Sequence, residues 1–354
     1  MKIIEVCLKR EKYPIYLGYP LEEIGQLFIK HECGNKIFII TDENVSRFYS
    51  NAVRHSLENA GKKVDICVVK PGEPSKTIKT AYHLIEKCSQ FGLDRTDTII
   101  ALGGGVVCDL AGFVASIYLR GISLVSIPTT LLAQVDASVG GKNGVNLPWG
   151  KNLVGTFHQP SFVVMDISTL KTLPEREISQ GMAEVIKCGI IRSKKLFQFL
   201  LSTDKKEIKN HFDSIISECI TIKKRVVEMD EKDTKGIREI LNFGHTIGHA
   251  IEINSRKLNH GECVALGMIC ETFIAVQKGF CCYCLFENIK ELVKKFNLPT
   301  KTNISSQKVV HSLLFDKKTK GGKLRFVLPV KPGAVKTGVE ISTNDIISNW
   351  EKWQ

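Results

Sequence analysis

Through the first half of the chain, short runs of β-branched and aliphatic residues alternate with amphipathic stretches. Residues 37–40, 64–69, 98–102, 124–127 and 162–165 are apolar runs of strand length, and apolar positions recur at helical spacing over 80–91 and 107–119. Such alternation predicts an α/β sheet with parallel strands, whose ligands sit at the carboxyl ends of those strands. From about residue 168 the period changes. Amphipathic patterns of helical length cover 175–192, 209–229, 237–253, 264–278 and 285–296. The second half is therefore read as mainly helical, and two domains are expected, 1–167 and 168–354.

Composition narrows the function classes. The 354 residues carry a formal charge of +12, but the basic residues are scattered, with no arginine-rich arm or aromatic-basic platform. A small, multiply anionic substrate uses that excess better than nucleic acid does. No apolar run is long enough to span a bilayer, and the amino-terminal residues lack the pattern of a signal peptide, so a cytosolic protein is expected. Twelve cysteines are present. Cys7, Cys67, Cys108, Cys188 and Cys270 lie in apolar stretches, and reduced thiols are expected throughout. Cys281, Cys282 and Cys284 cluster without the paired spacing of a metal site.

Candidate chemistry begins at the strand ends. Asp42 leaves the run 37–40 as an acid suited to a ribose. Gly103, Gly104 and Gly105 leave the run 98–102 and open directly into a helix. Glycines there let backbone N–H groups approach a pyrophosphate, although a tight turn without a ligand has the same pattern.

The second half carries the ionisable residues. Taken as one helix, Arg238, Asn242, His245 and His249 follow at steps of four, three and four and share a stripe. Solvated stripes are normally Lys and Glu, so this one suggests a site. Gly244 and Gly248 each cost a helix about 1 kcal/mol, which is reasonable where another backbone or a ligand must come close. His245 and His249 look like a two-ligand metal motif. His260 in His260-Gly261-Glu262 is a further ligand or a helix cap. Glu184 and Lys187 share a helix face with Glu177, as a surface ion pair or as part of the site. Two imidazoles and a carboxylate make a common open zinc site. Lys142 after Gly140-Gly141, and Lys151 and Asn152 after Gly150, sit in what read as glycine-rich loops suited to oxyanions, with Arg120 as a possible bidentate fork.

Taken together, these segments resemble the 3-dehydroquinate synthases, of the sugar phosphate cyclase superfamily, over nearly the whole chain. The likeness rests on the segments 71–76, 103–109, 118–121, 128–132, 136–152, 181–187, 241–252, 260–262 and 316–318, in that order. It implies a Rossmann-like NAD-binding α/β domain and a helical metal- and substrate-binding domain. It also implies NAD+ and a divalent ion, Zn2+ or Co2+, as cofactors. The implied reaction converts 3-deoxy-D-arabino-heptulosonate 7-phosphate to 3-dehydroquinate and phosphate by transient oxidation, phosphate elimination, re-reduction and aldol closure. That is a phosphorus–oxygen lyase reaction of the shikimate pathway.

Residue by residue, the resemblance implies Glu184, His245 and His260 as metal ligands. His249 becomes a proton-handling residue beside the phosphate. The catalytic set is Lys187, His249, Asn242, Arg238, Lys142 and Asp136, and Arg120, Asn152, Lys223 and Lys317 join it in binding substrate. Asp42, Gly72, Glu73, Lys76, Gly104, Gly105, Val106, Asp109, Thr129, Thr130, Lys142, Lys151, Thr169, Thr172 and Glu177 are implied around NAD+. Arg120 matches a residue that reaches the neighbouring subunit's phosphate, which implies a homodimer. Ala137 and Asn143 depart from the Ser and Thr common in the family, and the 230–238 loop is one residue longer. The alternatives are a sister cyclase of the 2-deoxy-scyllo-inosose synthase type, a metal-dependent polyol dehydrogenase, and a non-catalytic zinc module, for which no fourth ligand is present.

Overall fold

The computed structural model describes residues 1–255, 257–315 and 324–354, with Phe315 as backbone only. Two compact units make up the chain. One comprises Met1–Leu173 and Lys223–Lys232, the other Pro174–Ile222 and Asp233–Gln354.

The first unit holds β1 (Lys2–Cys7), β2 (Lys12–Leu17), β3 (Lys36–Asp42), β4 (Lys63–Val69), helix α1 (Ile78–Phe91), β5 (Thr98–Gly103), helix α2 (Gly105–Ile117), β6 (Ser123–Pro128), β7 (Lys142–Leu147), β8 (Gly150–Phe157) and β9 (Phe162–Met165). Seven of these strands form one sheet in the order β1-β2-β9-β6-β5-β3-β4, parallel except for the β1–β2 hairpin. All five apolar runs seen in the sequence are strands of this sheet. The four inner ones are continuous because both faces are covered, whereas β4 lies at the edge and is half-exposed. Phe38, Ile40, Ile99 and Ala101 point into one core, and Ile37, Ile39, Ile100 and Leu102 into the other.

The order in which strands are added to the sheet reverses between β3 and β5, which pair side by side in parallel although β4 intervenes in sequence. A crevice opens at the carboxyl ends of strands at such a switch point. Asp42 and Gly103 end those two strands.

The hairpin β7–β8 replaces the loops expected around Lys142 and Asn152: Lys142 starts β7 and Asn152 lies within β8. Glycine content concealed these strands. Gly144 stands opposite Gly155, and a Cβ on Gly144 would lie 2.8 Å from the Val154 carbonyl oxygen. The glycines serve close pairing rather than loop freedom.

In the second unit, helices α3 (Glu175–Ile191), α6 (His260–Gln277) and α7 (Tyr283–Lys295) follow the expected patterns, α5 (His245–Asn254) covers only the later part of its own, and α4 (Phe212–Met229) continues from this unit into residues of the first. Two findings correct the reading of this half. A hairpin, β10 (Leu324–Lys331) with β11 (Ala334–Ile341), adds strands to a region expected to be mainly helical. The helix expected over 237–253 is also broken. Ile237–Asn242 is a 3-10 helix, and Gly244 (φ 78°) caps α5 in the left-handed conformation. The stripe from Arg238 to His249 is therefore not one helix face.

The thiols also differ from expectation. Cys7 is exposed, and Cys282 and Cys284 are joined in a disulfide, against the expectation of reduced cysteines throughout. Among the described residues no helix is long and apolar enough to cross a membrane.

Candidate active site

Three helices of the second unit converge through glycines. A Cβ on Gly267 of α6 would lie 1.9 Å from the Gly244 carbonyl oxygen, and one on Gly248 would lie 2.9 Å from that of Cys263. A Cβ on Gly261 would come within 2.3 Å of the Gln180 carbonyl oxygen in α3. These contacts meet the expectation that Gly244 and Gly248 admit a neighbouring backbone. They also bring Glu184 of α3, His245 of α5 and His260 of α6 to one point.

One donor atom from each of Glu184, His245 and His260 lies within 4.8 Å of the other two. Glu184 Oε1 is 3.4 Å from His245 Nε2 and 3.6 Å from His260 Nε2. The Glu184 side chain is 1% exposed and forms an ion pair with Lys187, itself 3% exposed. Neither Glu184 oxygen has a well-directed hydrogen bond. A buried carboxylate in that state suits a cation held jointly with two imidazoles, so the donor set fits a divalent metal with an open position.

The electrostatics are those of close opposite charges. Burial opposes ionisation of Glu184, but Lys187 and His245 outweigh it and hold the carboxyl well below its usual value. His245 is lowered by burial and by the Lys187 ammonium. For His260, burial works against the charged ring, yet the carboxylates of Glu184 and Glu252 beside it lift it to about 9.

His249 lies one turn beyond His245, and its ring centroid is 5.3 Å from that of His245 and 5.8 Å from that of His260. A second cluster, His249, Glu252 and His260, also has donor atoms within 4.8 Å of one another. Arg238 is buried on the 3-10 helix that Asn242 ends. Glu177, on the first turn of α3, accepts from Gln180 at 2.7 Å. Lys317 lies outside the described residues.

The first unit gathers most of the residues assigned to the nucleotide. Gly104 caps α2 with no side chain to occupy the first-turn N–H groups, leaving Gly105 and Val106 at a helix N-terminus that favours anions. Thr129 and Thr130 follow the adjacent strand β6, and a Cβ on Gly104 would approach Thr130 Cγ2 to 3.1 Å. Lys76 Nζ donates to Asp109 and to Asn152 Oδ1, at 2.5 Å each. Burial nevertheless raises Asp109 above the ordinary aspartate value, with Lys76 opposing it. Asp42 caps its own turn by accepting from the Asn44 and Val45 N–H groups. Gly72 takes φ 91° before Glu73, which pairs with Lys151 at 3.6 Å. The Thr169 hydroxyl is buried against Gln134, and that of Thr172 meets Tyr49.

Sequence reading missed Asn146 altogether. Its amide donates to Glu73 at 2.7 Å, its carbonyl accepts from Asn152 N–H at 2.9 Å, and its own N–H donates to the Lys76 carbonyl at 2.8 Å. Only the β7–β8 pairing reveals it. Asn152, assigned to substrate, thus bonds Lys76, one of the residues assigned to the nucleotide. Asp136 is joined by Lys223, which donates to its carboxylate at 2.7 Å and to its backbone carbonyl at 2.5 Å. Arg120 is exposed on a turn where Leu119, Arg120 and Gly121 all have positive φ. The departure Asn143 bridges the Gly141 and His158 carbonyls at 2.9 Å each and so ties down the loop before Lys142.

Comparison with known proteins follows the same lines. Two family models match, described as 3-dehydroquinate synthase N-terminal over residues 66–180 and 3-dehydroquinate synthase C-terminal over 181–319. A 3-dehydroquinate synthase of Symbiobacterium thermophilum is 45% identical, the match covering 96% of this chain and 97% of that protein. One of Desulforamulus reducens is 43% identical over 98% of this chain and 99% of its own length. Among solved structures, 2-deoxy-scyllo-inosose synthase complexed with carbaglucose-6-phosphate, NAD+ and Co2+ superposes with a TM-score of 0.90 at 26% identity, covering 99% of this chain and all of that one. With both halves matched in order and relatives aligned from end to end, the chain belongs to the 3-dehydroquinate synthase family.

Proposed function

We infer that this chain converts 3-deoxy-D-arabino-heptulosonate 7-phosphate to 3-dehydroquinate and inorganic phosphate, as a lyase with NAD+ and a divalent ion, zinc or cobalt, as resident cofactors. Family membership carries the reaction, and the convergence of His245 and His260 on the buried Glu184 carboxylate supports the metal. When bound, the ion supplies Lewis-acid polarisation of the substrate's hydroxyl oxygens, and NAD+ supplies reversible two-electron oxidation.

The chain's own residues bind the substrate and move its protons. Glu184, His245 and His260 hold the ion. His249 receives and returns a proton at its imidazole beside the departing phosphate, a role that imidazoles commonly take in acid–base catalysis. Lys187, Arg238 and Asn242 in the second unit, and Asp136, Lys142, Asn152 and Lys223 in the first, bind the hydroxyl, carboxylate and phosphate groups, and Lys317 joins them. Asp42, Gly72, Glu73, Lys76, Asp109, Lys151 and the glycine turn hold NAD+, with Thr129, Thr130, Thr169, Thr172 and Glu177 completing that set. A cytosolic location and a homodimer, with Arg120 reaching the neighbouring phosphate, belong to the same reading.

One assay tests it. Purified protein is incubated with the heptulosonate phosphate, NAD+ and zinc or cobalt, and free phosphate, dehydroquinate and NADH are followed. Phosphate and dehydroquinate in equal amounts without accumulating NADH is the expected result. Steady NADH production would make the chain a dehydrogenase. The likeness to 2-deoxy-scyllo-inosose synthase keeps a sister cyclase as the second reading, and turnover of glucose 6-phosphate in place of the heptulosonate would select it.

A further inference from the structure

We propose that two carboxylates outside the donor set, Glu252 and Glu271, position the imidazoles that bind the ion; the inference rests on the metal reading above. His260 Nδ1 lies 3.4 Å from a Glu252 carboxylate oxygen. An ionised carboxylate only accepts hydrogen bonds, so Nδ1 carries a proton, and Nε2, the nitrogen facing Glu184, is the one left to bind an ion. Metal-bound histidines are commonly held in this way, and the partner raises the basicity of the ligating nitrogen. Glu252 reaches His260 from α5, so it also ties the helix of one ligand to the ring of another.

His245 reaches the same tautomer by another route. Its Nδ1 lies 3.1 Å from the Phe243 carbonyl oxygen, which again can only accept, leaving Nε2 for the ion. The direction of that carbonyl depends on the backbone break at Gly244. Glycine has no side chain to cap α5, and Glu271 of α6 does so instead. Its carboxylate, fully buried, accepts the Gly244 N–H at 2.6 Å and the Ile247 N–H at 3.1 Å. Burying a carboxylate is costly, and here it stabilises the one turn that begins with His245.

The test uses full-length protein freed of metal. Wild type, E252Q, E252L, E271Q and E271D are titrated with Co2+ against a chelator of known affinity, the visible cobalt spectrum is recorded, and the melting temperature of each metal-free form is measured. E252Q keeps an acceptor for Nδ1–H without the charge, and a roughly 10-fold loss of affinity is expected. E252L removes both, for roughly 100-fold. E271Q presents an amide N–H to one backbone donor, for a loss of about 10-fold or more with an altered cobalt spectrum. E271D keeps the charge at shorter reach, and is expected to lose about 10-fold and serves should E271Q not fold. Lowered melting temperatures with wild-type cobalt affinity and spectrum would reduce both residues to packing and overturn the proposal. A second cobalt ion bound in wild type and lost in E252L would make Glu252 a ligand and overturn it as well. Wild type that binds no cobalt would instead overturn the metal reading on which it rests.

Discussion

His245 and His249 stand four residues apart on one helix with ring planes at 90° and centroids 5.3 Å apart, and His245 Nε2 lies 3.4 Å from a Glu184 carboxylate oxygen. The proposed assignment divides a pair that looks in sequence like two ligands of one ion, giving His245 to the metal and His249 to the proton.

His245→Ala is expected to lose metal by two orders of magnitude or more in affinity, as a ligand should. His249→Ala is expected to keep the metal and lose turnover by about 10²–10⁴-fold, the usual worth of a positioned acid–base group. Metal analysis beside steady-state kinetics checks the division, and equal metal loss in both variants would refute it.

Lys187 and Glu184 form a buried pair whose members are not interchangeable with solvent. Lys187→Met leaves the Glu184 charge without its ammonium, and breaking a buried pair in this way costs about 3–5 kcal/mol. Denaturant unfolding of the metal-free protein should show that loss. Adding zinc should narrow the gap to wild type, because the ion then neutralises Glu184. A gap that zinc leaves unchanged would count against a metal at this carboxylate.

Glu177 has its carboxyl raised, chiefly by burial, with the Arg176 guanidinium opposing the shift. A raised folded value means that the folded protein binds this proton more tightly than the unfolded chain does. Ionised Glu177 therefore disfavours folding at high pH, and the penalty vanishes below the unfolded value near 4.5. Glu177→Gln should raise the melting temperature at pH 7, with the gain shrinking to nothing as pH falls below that value. A gain that persists at pH 4 would contradict the assignment.

Gly267→Ala places a methyl group 1.9 Å from the Gly244 carbonyl oxygen and 2.8 Å from the Gly248 nitrogen. Overpacking of this kind costs about 1–3 kcal/mol or more, and relief requires α5 and α6 to separate. Both a lower melting temperature and weaker zinc binding are expected. Unchanged zinc affinity in a calorimetric titration would show that the glycine contact does not set the ligand geometry.

Much of the sheet was legible because strands covered on both faces must be apolar throughout, as Ile37–Phe38–Ile39–Ile40 are. The hairpins were not. Around Gly144 and Gly155 a strand pair and a flexible loop have the same composition, and only cross-strand register separates them. The expected helix over 237–253 failed at Gly244, because periodicity carries no information about a single left-handed residue. The Cys282–Cys284 disulfide likewise follows from placement in space and not from composition.

By itself the sequence determined the α/β-then-helical division, the chemical types at the site and the family. Those depend on local periodicity and on residue identities in order along the chain. Tertiary structure alone decided which groups meet. Glu184, His245 and His260 lie far apart in sequence and converge because glycines let three backbones approach. Glu252 and Glu271 entered the site only there, since a carboxylate's partner is set by packing and no spacing along the chain encodes it.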